Sequence, residues 1–243
     1  MRKLLLPLLP LLAAAAAQAA PPAVSMDVAP TTLELTPGRP GLFYVSNHGP
    51  QPVTVRIEGF DWEQPGGADR LAPSGDLVVS PPLATIAPEA RQLVRVLAPA
   101  AKGERSFRLL VSQLPVRDAT PIEPPPNVAA GTAVRILLRF GVPVFAGDPV
   151  TSSPVLAWNV ARHGHAILLT ARNDGPHTAK LVGVRLADGG TTAKPDDDSF
   201  AWLLPGAIHT FTFSHPPQGA SLHLAARDGR GGSEVIADIS APP

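Results

Sequence analysis

Apolar residues recur at every second position along most of this chain, the period of a pleated strand and not of a helix. The run Gly131–Phe145 (GTAVRILLRFGVPVF) shows it at greatest length. Val134, Ile136, Leu138, Phe140 and Val142 share one face of an extended strand, and Arg135 and Arg139 share the other, with Leu137 between them. Gly141 and Pro143 exclude a helix over the same residues. Ahead of the run lies the proline-rich loop Asp118–Ala130. A long strand with one apolar face is an aggregation hazard at a sheet edge unless a partner covers it. The other reading is an ordinary sandwich strand, with that face buried in its own core.

Shorter runs between turn signals repeat roughly every ten residues, the spacing of sandwich strands. A first strand is predicted over Val24–Leu35, a turn at Thr36–Arg39 and a strand over Gly41–Ser46. After the turn Asn47–Pro50, Val53–Phe60 alternates, with Val53, Val55 and Ile57 on one side. Trp62 reads as a core or core-edge aromatic and Pro65–Gly67 as a hairpin tip. Leu77–Val79 reads as an edge strand closed by Pro81 and Pro82. Leu83–Ile86, Gln92–Leu97 and Ser106–Leu114 follow. Beyond the long strand, further strands are predicted over Trp158–Val160, His165–Ala171, Leu181–Leu186, Ile208–Ser214, Leu222–Ala226 and Val235–Ile239. The fold class is all-β.

Composition agrees: 30 prolines and 21 glycines are spread along 243 residues, and cysteine is absent, so the cores hold without disulfides. Residues 1–19 read as a secretory signal. Met1-Arg2-Lys3 is a basic head, Leu4–Ala17 an apolar run, and Ala17-Gln18-Ala19 a cleavage pattern. Without that leader, 18 basic side chains face 20 acidic ones, a net charge of about −2 that attracts neither nucleic acid nor an anionic membrane. No other apolar run approaches spanning length, so no membrane insertion is expected. The remaining chain is long enough for two domains of roughly 100 residues.

Catalytic signals are weak. His163 and His165 could share a strand face, but a zinc site needs three or four ligands and no third is placed. Asp196-Asp197-Asp198 lacks the glycine and closing glutamate of a calcium loop and reads as a solvated acidic loop. There is no Gly-x-Ser-x-Gly elbow and no phosphate-binding glycine loop. Neither an enzyme, a cofactor nor a metal site is expected.

Several segments, in this order, resemble the periplasmic chaperones of chaperone–usher pilus assembly. They are Asn47 after an extended run, Trp62 before a glycine tip, Val79–Val96 (VSPPLATIAPEARQLVRV), Glu104–Pro115 (ERSFRLLVSQLP) and the strand from Val134 to Val142. The resemblance spans about Val24 to Phe145. It implies two immunoglobulin-like β-sandwiches set at an angle, residues 20–146 and 147–243, working in the periplasm. It also implies partners: pilin or fimbrial subunits, whose open groove takes the strand Val134, Ile136, Leu138, Phe140 and Val142, and an outer-membrane usher. In the free protein this face is expected to be exposed or only transiently capped by self-association, as a homodimer.

In the family two basic residues hold the subunit's terminal carboxylate. The first-strand position falls near Pro30-Thr31, which carries no base, and Arg139 lies within a residue of the second. Glu104 matches the family's acidic residue facing the domain interface, but its arginine partner there falls near Val142. These departures resemble a divergent, archaic-like branch. The alternative function is a structural two-domain fimbrial subunit or adhesin. Two sandwiches' worth of strands, with the alternating strand just before a linker, favour the chaperone.

Overall fold

A computed structural model describes residues 26–36, 38–99, 103–115, 136–147, 154–197, 200–219, 221–232 and 234–240. The signal segment, the loop before the long strand and Val134 lie outside the described residues. The described residues form two all-β sandwiches and no α-helix.

The first sandwich begins with β1 (Met26–Ala29), β2 (Leu33–Leu35), β3 (Gly41–Asn47), β4 (Val53–Glu63) and β5 (Arg70–Pro73). It continues with β6 (Val78–Ser80), β7 (Leu83–Ile86), β8 (Ala90–Leu97), β9 (Arg105–Gln113) and β10 (Arg139–Ala146). One sheet runs β1-β3-β8-β6, and the other runs β2-β10-β9-β4-β5 with β7 also on β4. Alternate residues of both sheets meet in one core, centred on Phe43, Val45, Val55, Ile57, Val94, Phe107 and Leu109.

The first strand departs from the sequence reading. The run expected over Val24–Leu35 is two strands: β1 pairs antiparallel with β3, while β2 pairs parallel with β10 in the facing sheet. Pro30 has no amide hydrogen to continue the ladder on β3, so the chain crosses from one sheet to the other there.

The second sandwich comprises β11 (Leu156–His163), β12 (Ala166–Asn173), β13 (Ala179–Ala187), β14 (Thr192–Ala193), β15 (Phe200–Leu203), β16 (Ile208–Phe213), β17 (Ser221–Asp228) and β18 (Glu234–Ser240). β11-β12-β16 faces β14-β13-β17-β18, with β15 also on β13. Ile167, Leu169, Leu181, Leu186, Phe211, Phe213 and Leu224 fill its core. β5, β14 and β15 escape the sequence reading because they are only two to four residues long, too short to show a period. His163 ends β11 and His165 sits in the turn to β12, so the two do not share a strand face.

Each sandwich is stapled by a buried asparagine opening an Asn-x-Gly-Pro turn. Asn47 donates to the carbonyls of Ile86, Ala87 and Gln51 and accepts from Gly49 N–H. Asn173 donates to the carbonyls of Leu203 and His177 and accepts from Gly175 N–H. Such saturation lets an amide sit in a core, where an unpaired one would cost about 1–3 kcal/mol. Between the sandwiches lies a small third cluster of Trp62, Phe145, Leu204 and Ala207.

Candidate functional site: an open strand edge beside an interdomain cleft

β10 is paired along its whole length with β9, from Arg139 opposite Ser112 to Ala146 opposite Arg105. Its other side meets β2 only at Val144, Phe145 and Ala146. Among the described residues, Arg139–Pro143 therefore present an unpaired ladder edge. The sequence reading expects the strand to start well before Arg139, but among the described residues β10 begins there, and residues 136–138 precede it without strand structure. The side chains grade along this whole stretch. Val142 is 1% exposed and belongs to the first sandwich's own core. Leu138 and Phe140 pack partly against that core, and Ile136 is 76% exposed. The alternating face thus starts in the core and runs out into solvent. Of the five residues read as facing a partner, Val142 is already enclosed by its own domain. Arg139 is exposed and its Nε donates to the Ser112 hydroxyl across the strand pair at 3.0 Å.

Where β10 enters the junction, a cleft of about 580 Å³ opens between the sandwiches. Trp62, Arg108, Pro143, Lys180, Phe200 and Trp202 are among its walls. Arg108 stacks on the Trp62 indole at 3.8 Å and is ion-paired with Asp69 at 2.9 Å. Lys180 reaches in from the second sandwich, its Nζ 5.0 Å from the Trp202 ring and 5.8 Å from Phe200. No carboxylate lies within ion-pairing distance of Lys180 among the described residues. Thr31, beside the position where the resemblance seeks a base, lines the cleft without a charge, and Arg139 does not line it. Among the described residues that line the cleft, Lys180 is a cation without a carboxylate partner, and sequence reasoning missed it because it lies on a strand of the other domain.

Glu104 is held between the sandwiches. Its side chain and that of Arg230 are 2% and 4% exposed, and they are ion-paired at 2.8 Å. Arg230 comes from the turn between β17 and β18. It grips Glu34 through two hydrogen bonds of 2.9 and 2.6 Å, donates to the Thr178 carbonyl, and lies 3.9 Å over the Phe145 ring. Glu104 also accepts from the Thr178 amide at 2.7 Å. Burial alone would lower the Arg230 pKa, but its hydrogen bonds to Glu34 and the charges of Glu104 and Glu34 outweigh it and hold it above the ordinary arginine value. The sequence reading sought the counter-ion of Glu104 near Val142, on the same domain. It arrives instead from a glycine-flanked turn some 126 residues later, where no local pattern marks it.

Among the described residues no three metal-ligating side chains converge. Asp196 accepts from the Ser214 amide and hydroxyl, bonds that lower its pKa and close a loop. Asp198 lies outside the described residues. No described helix is long and apolar enough to cross a membrane.

Residues 25–147 match the family model described as the pili and flagellar-assembly chaperone, PapD N-terminal domain. No curated protein matches the chain by sequence. Among solved structures, the chain is similar to one in the CsuC–CsuE chaperone–tip adhesion subunit pre-assembly complex from archaic chaperone–usher Csu pili of Acinetobacter baumannii. The identity is 20% and the TM-score 0.64, over 90% of this chain and 99% of that one. The E. coli chaperone DraB is similar at 17% identity and TM-score 0.58, over 90% and 97% of the two chains. The Pseudomonas aeruginosa CupB2 chaperone follows at 15% and 0.57, over 89% and 100%. At these identities the likeness is one of fold.

Proposed function

We propose that this chain, which belongs to the pili and flagellar-assembly chaperone family, holds an unassembled pilin or fimbrial subunit by lending it β10 as an edge strand. The observation that carries this reading is the half-open strand. Among the described residues Arg139–Pro143 have a ladder partner on one side only, and apolar Phe140, Leu138 and Ile136 lead back from the core towards solvent. Strand addition gains affinity from backbone hydrogen bonds and selectivity from alternate side chains. Ile136, Leu138 and Phe140 would fill the partner's groove, with Val134 ahead of them, while Val142 anchors the strand in its own domain.

The subunit's terminal carboxylate would lie in the adjoining cleft, where Lys180 lacks a carboxylate partner among the described residues. The chaperone works in the periplasm after loss of residues 1–19, passes its subunit to an outer-membrane usher, and covers the exposed face by homodimerising when empty. A structural fimbrial subunit is not favoured, because the open edge lies at the junction of two complete sandwiches.

The test is Ile136→Glu. A carboxylate at a groove-filling position would be buried without a partner, costing several kcal/mol, enough to lose most of a micromolar complex. Co-purification with a pilin subunit encoded in the same operon should be abolished, with the thermal melt of the free chain unchanged. Retained co-purification would end the strand-donation reading.

A further inference from the structure

The hairpin joining β4 to β5 does more at the junction than a turn requires. Its tip, Pro65–Gly67, is one turn of 3-10 helix. Just before it, Trp62 is buried in the cluster between the sandwiches, edge-on to Trp202 at 6.2 Å. Gln64 then reaches across. Its side-chain amide donates to the Trp202 carbonyl at 3.0 Å and accepts from the Leu204 amide at 2.9 Å. These are the two backbone groups flanking Leu203 that a neighbouring strand would engage, so one side chain stands in for a strand partner.

Asp69, on the far side of the tip, accepts from Gln64 Nε2, the Trp62 indole N–H and Arg108. That network fixes which way the Gln64 amide faces, since Nε2 meets two acceptors and Oε1 a donor. Gly67 closes the contact. Its φ is +88°, and a methyl group there would overlap the Ile208 carbonyl oxygen at the start of β16.

We infer that the β4–β5 tip is a strut between the two sandwiches: it sets the width of the cleft, and with it the distance from Lys180 to the open edge of β10. Interfaces between domains of one chain permit relative motion unless they are large and apolar. Among the described residues the apolar cluster has only four buried members, so directional contacts are needed to choose one angle. The strut's geometry stands by itself, whereas its use in capture rests on the strand-donation reading above.

Absence of cysteine makes a direct test simple. Spin labels on Gln51→Cys and Ile236→Cys, both exposed and one in each sandwich, report the interdomain distance in the full chain. Three variants are compared. Gly67→Ala adds both backbone strain and the clash with Ile208. Gly66→Ala adds similar strain, at φ +63°, but its methyl meets nothing within 4 Å. Gln64→Met keeps the shape and loses the amide.

The expected result is a shifted or broadened distance distribution for Gly67→Ala and Gln64→Met, with Gly66→Ala like wild type. Capture of the operon's pilin subunit should weaken roughly tenfold in the first two. Distributions for all three that match wild type would overturn the strut. A shifted distribution with undiminished capture would overturn its link to binding. Ile136→Glu then separates the causes, because if it too leaves capture intact, strand donation itself has failed.

Discussion

Single residues at the junction divide between binding and structure according to whether their charge is already used. Arg108 is held by Asp69 and Arg230 by two glutamates, but Lys180 lies near the Trp202 and Phe200 rings and has no carboxylate partner among the described residues. A cation on an aromatic wall keeps its donors for an incoming anion, and exclusion of water by the ring strengthens that contact. Lys180→Gln should therefore weaken subunit capture by about 1–3 kcal/mol, the worth of a hydrogen bond to a charged group. The melting temperature should hardly move. Arg139→Ala, at an exposed position bonded to Ser112, should cost less than about 1 kcal/mol of capture. Isothermal titration of each variant with a pilin subunit gives the order, and a larger loss for Arg139→Ala would transfer the carboxylate to the strand's own arginine.

At the scale of the element, β10 is one strand with two employments. Its Val144–Ala146 end is flanked by β9 and β2, and its Arg139–Pro143 stretch is an edge, although Val142 there is buried in the core. An introduced carboxylate should behave in opposite ways within β10 and just before it. Val142→Asp would bury a carboxylate in a filled core and should unfold the first sandwich, at a cost of several kcal/mol. Ile136→Glu should leave the fold intact. Urea denaturation of the two variants separates these outcomes, and equal destabilisation would mean that the apolar face belongs throughout to its own domain. The register also shows why the strand stays in place while its edge is open: eight residue pairs with β9 anchor it from behind.

At the scale of the whole molecule, the two sandwiches are joined by a buried ion cluster, an aromatic cluster and the β4–β5 tip. A buried pair adds little net stability compared with apolar packing, but breaking it leaves an uncompensated charge. Arg230→Ala would strand the buried Glu104, while Glu34 stays solvated, and should destabilise the molecule by about 3–5 kcal/mol, with little sensitivity to salt because the Glu104 pair is shielded from solvent. Replacing Glu104 and Arg230 together by Gln and Met should recover part of that loss. Guanidinium would itself screen charge, so urea titration is the suitable measurement, and a single-variant loss below about 1 kcal/mol would mean that the cluster contributes nothing to the junction.

The alternation of side chains along the sequence determined the all-β class and most strand positions, because a period of two is a property of the local backbone. The punctuation by Asn, Gly and Pro determined the turns, since those residues act on their own dihedrals and neighbouring amides. Where the apolar run leading into β10 passes from core to solvent was beyond local pattern. Val142 and Ile136 look alike in the sequence, and only the length of β2, which covers β10 no further than Val144, leaves the edge beyond it open. The partners of Glu104, the place of the Lys180 cation in the cleft and the bridge from Gln64 to Trp202 and Leu204 were likewise decided by tertiary structure. Each joins residues 74 to 140 positions apart or stands alone in a cleft formed by both domains, and charge and hydrogen-bonding capacity carry no periodic mark in the chain that predicts where it will fold back upon itself.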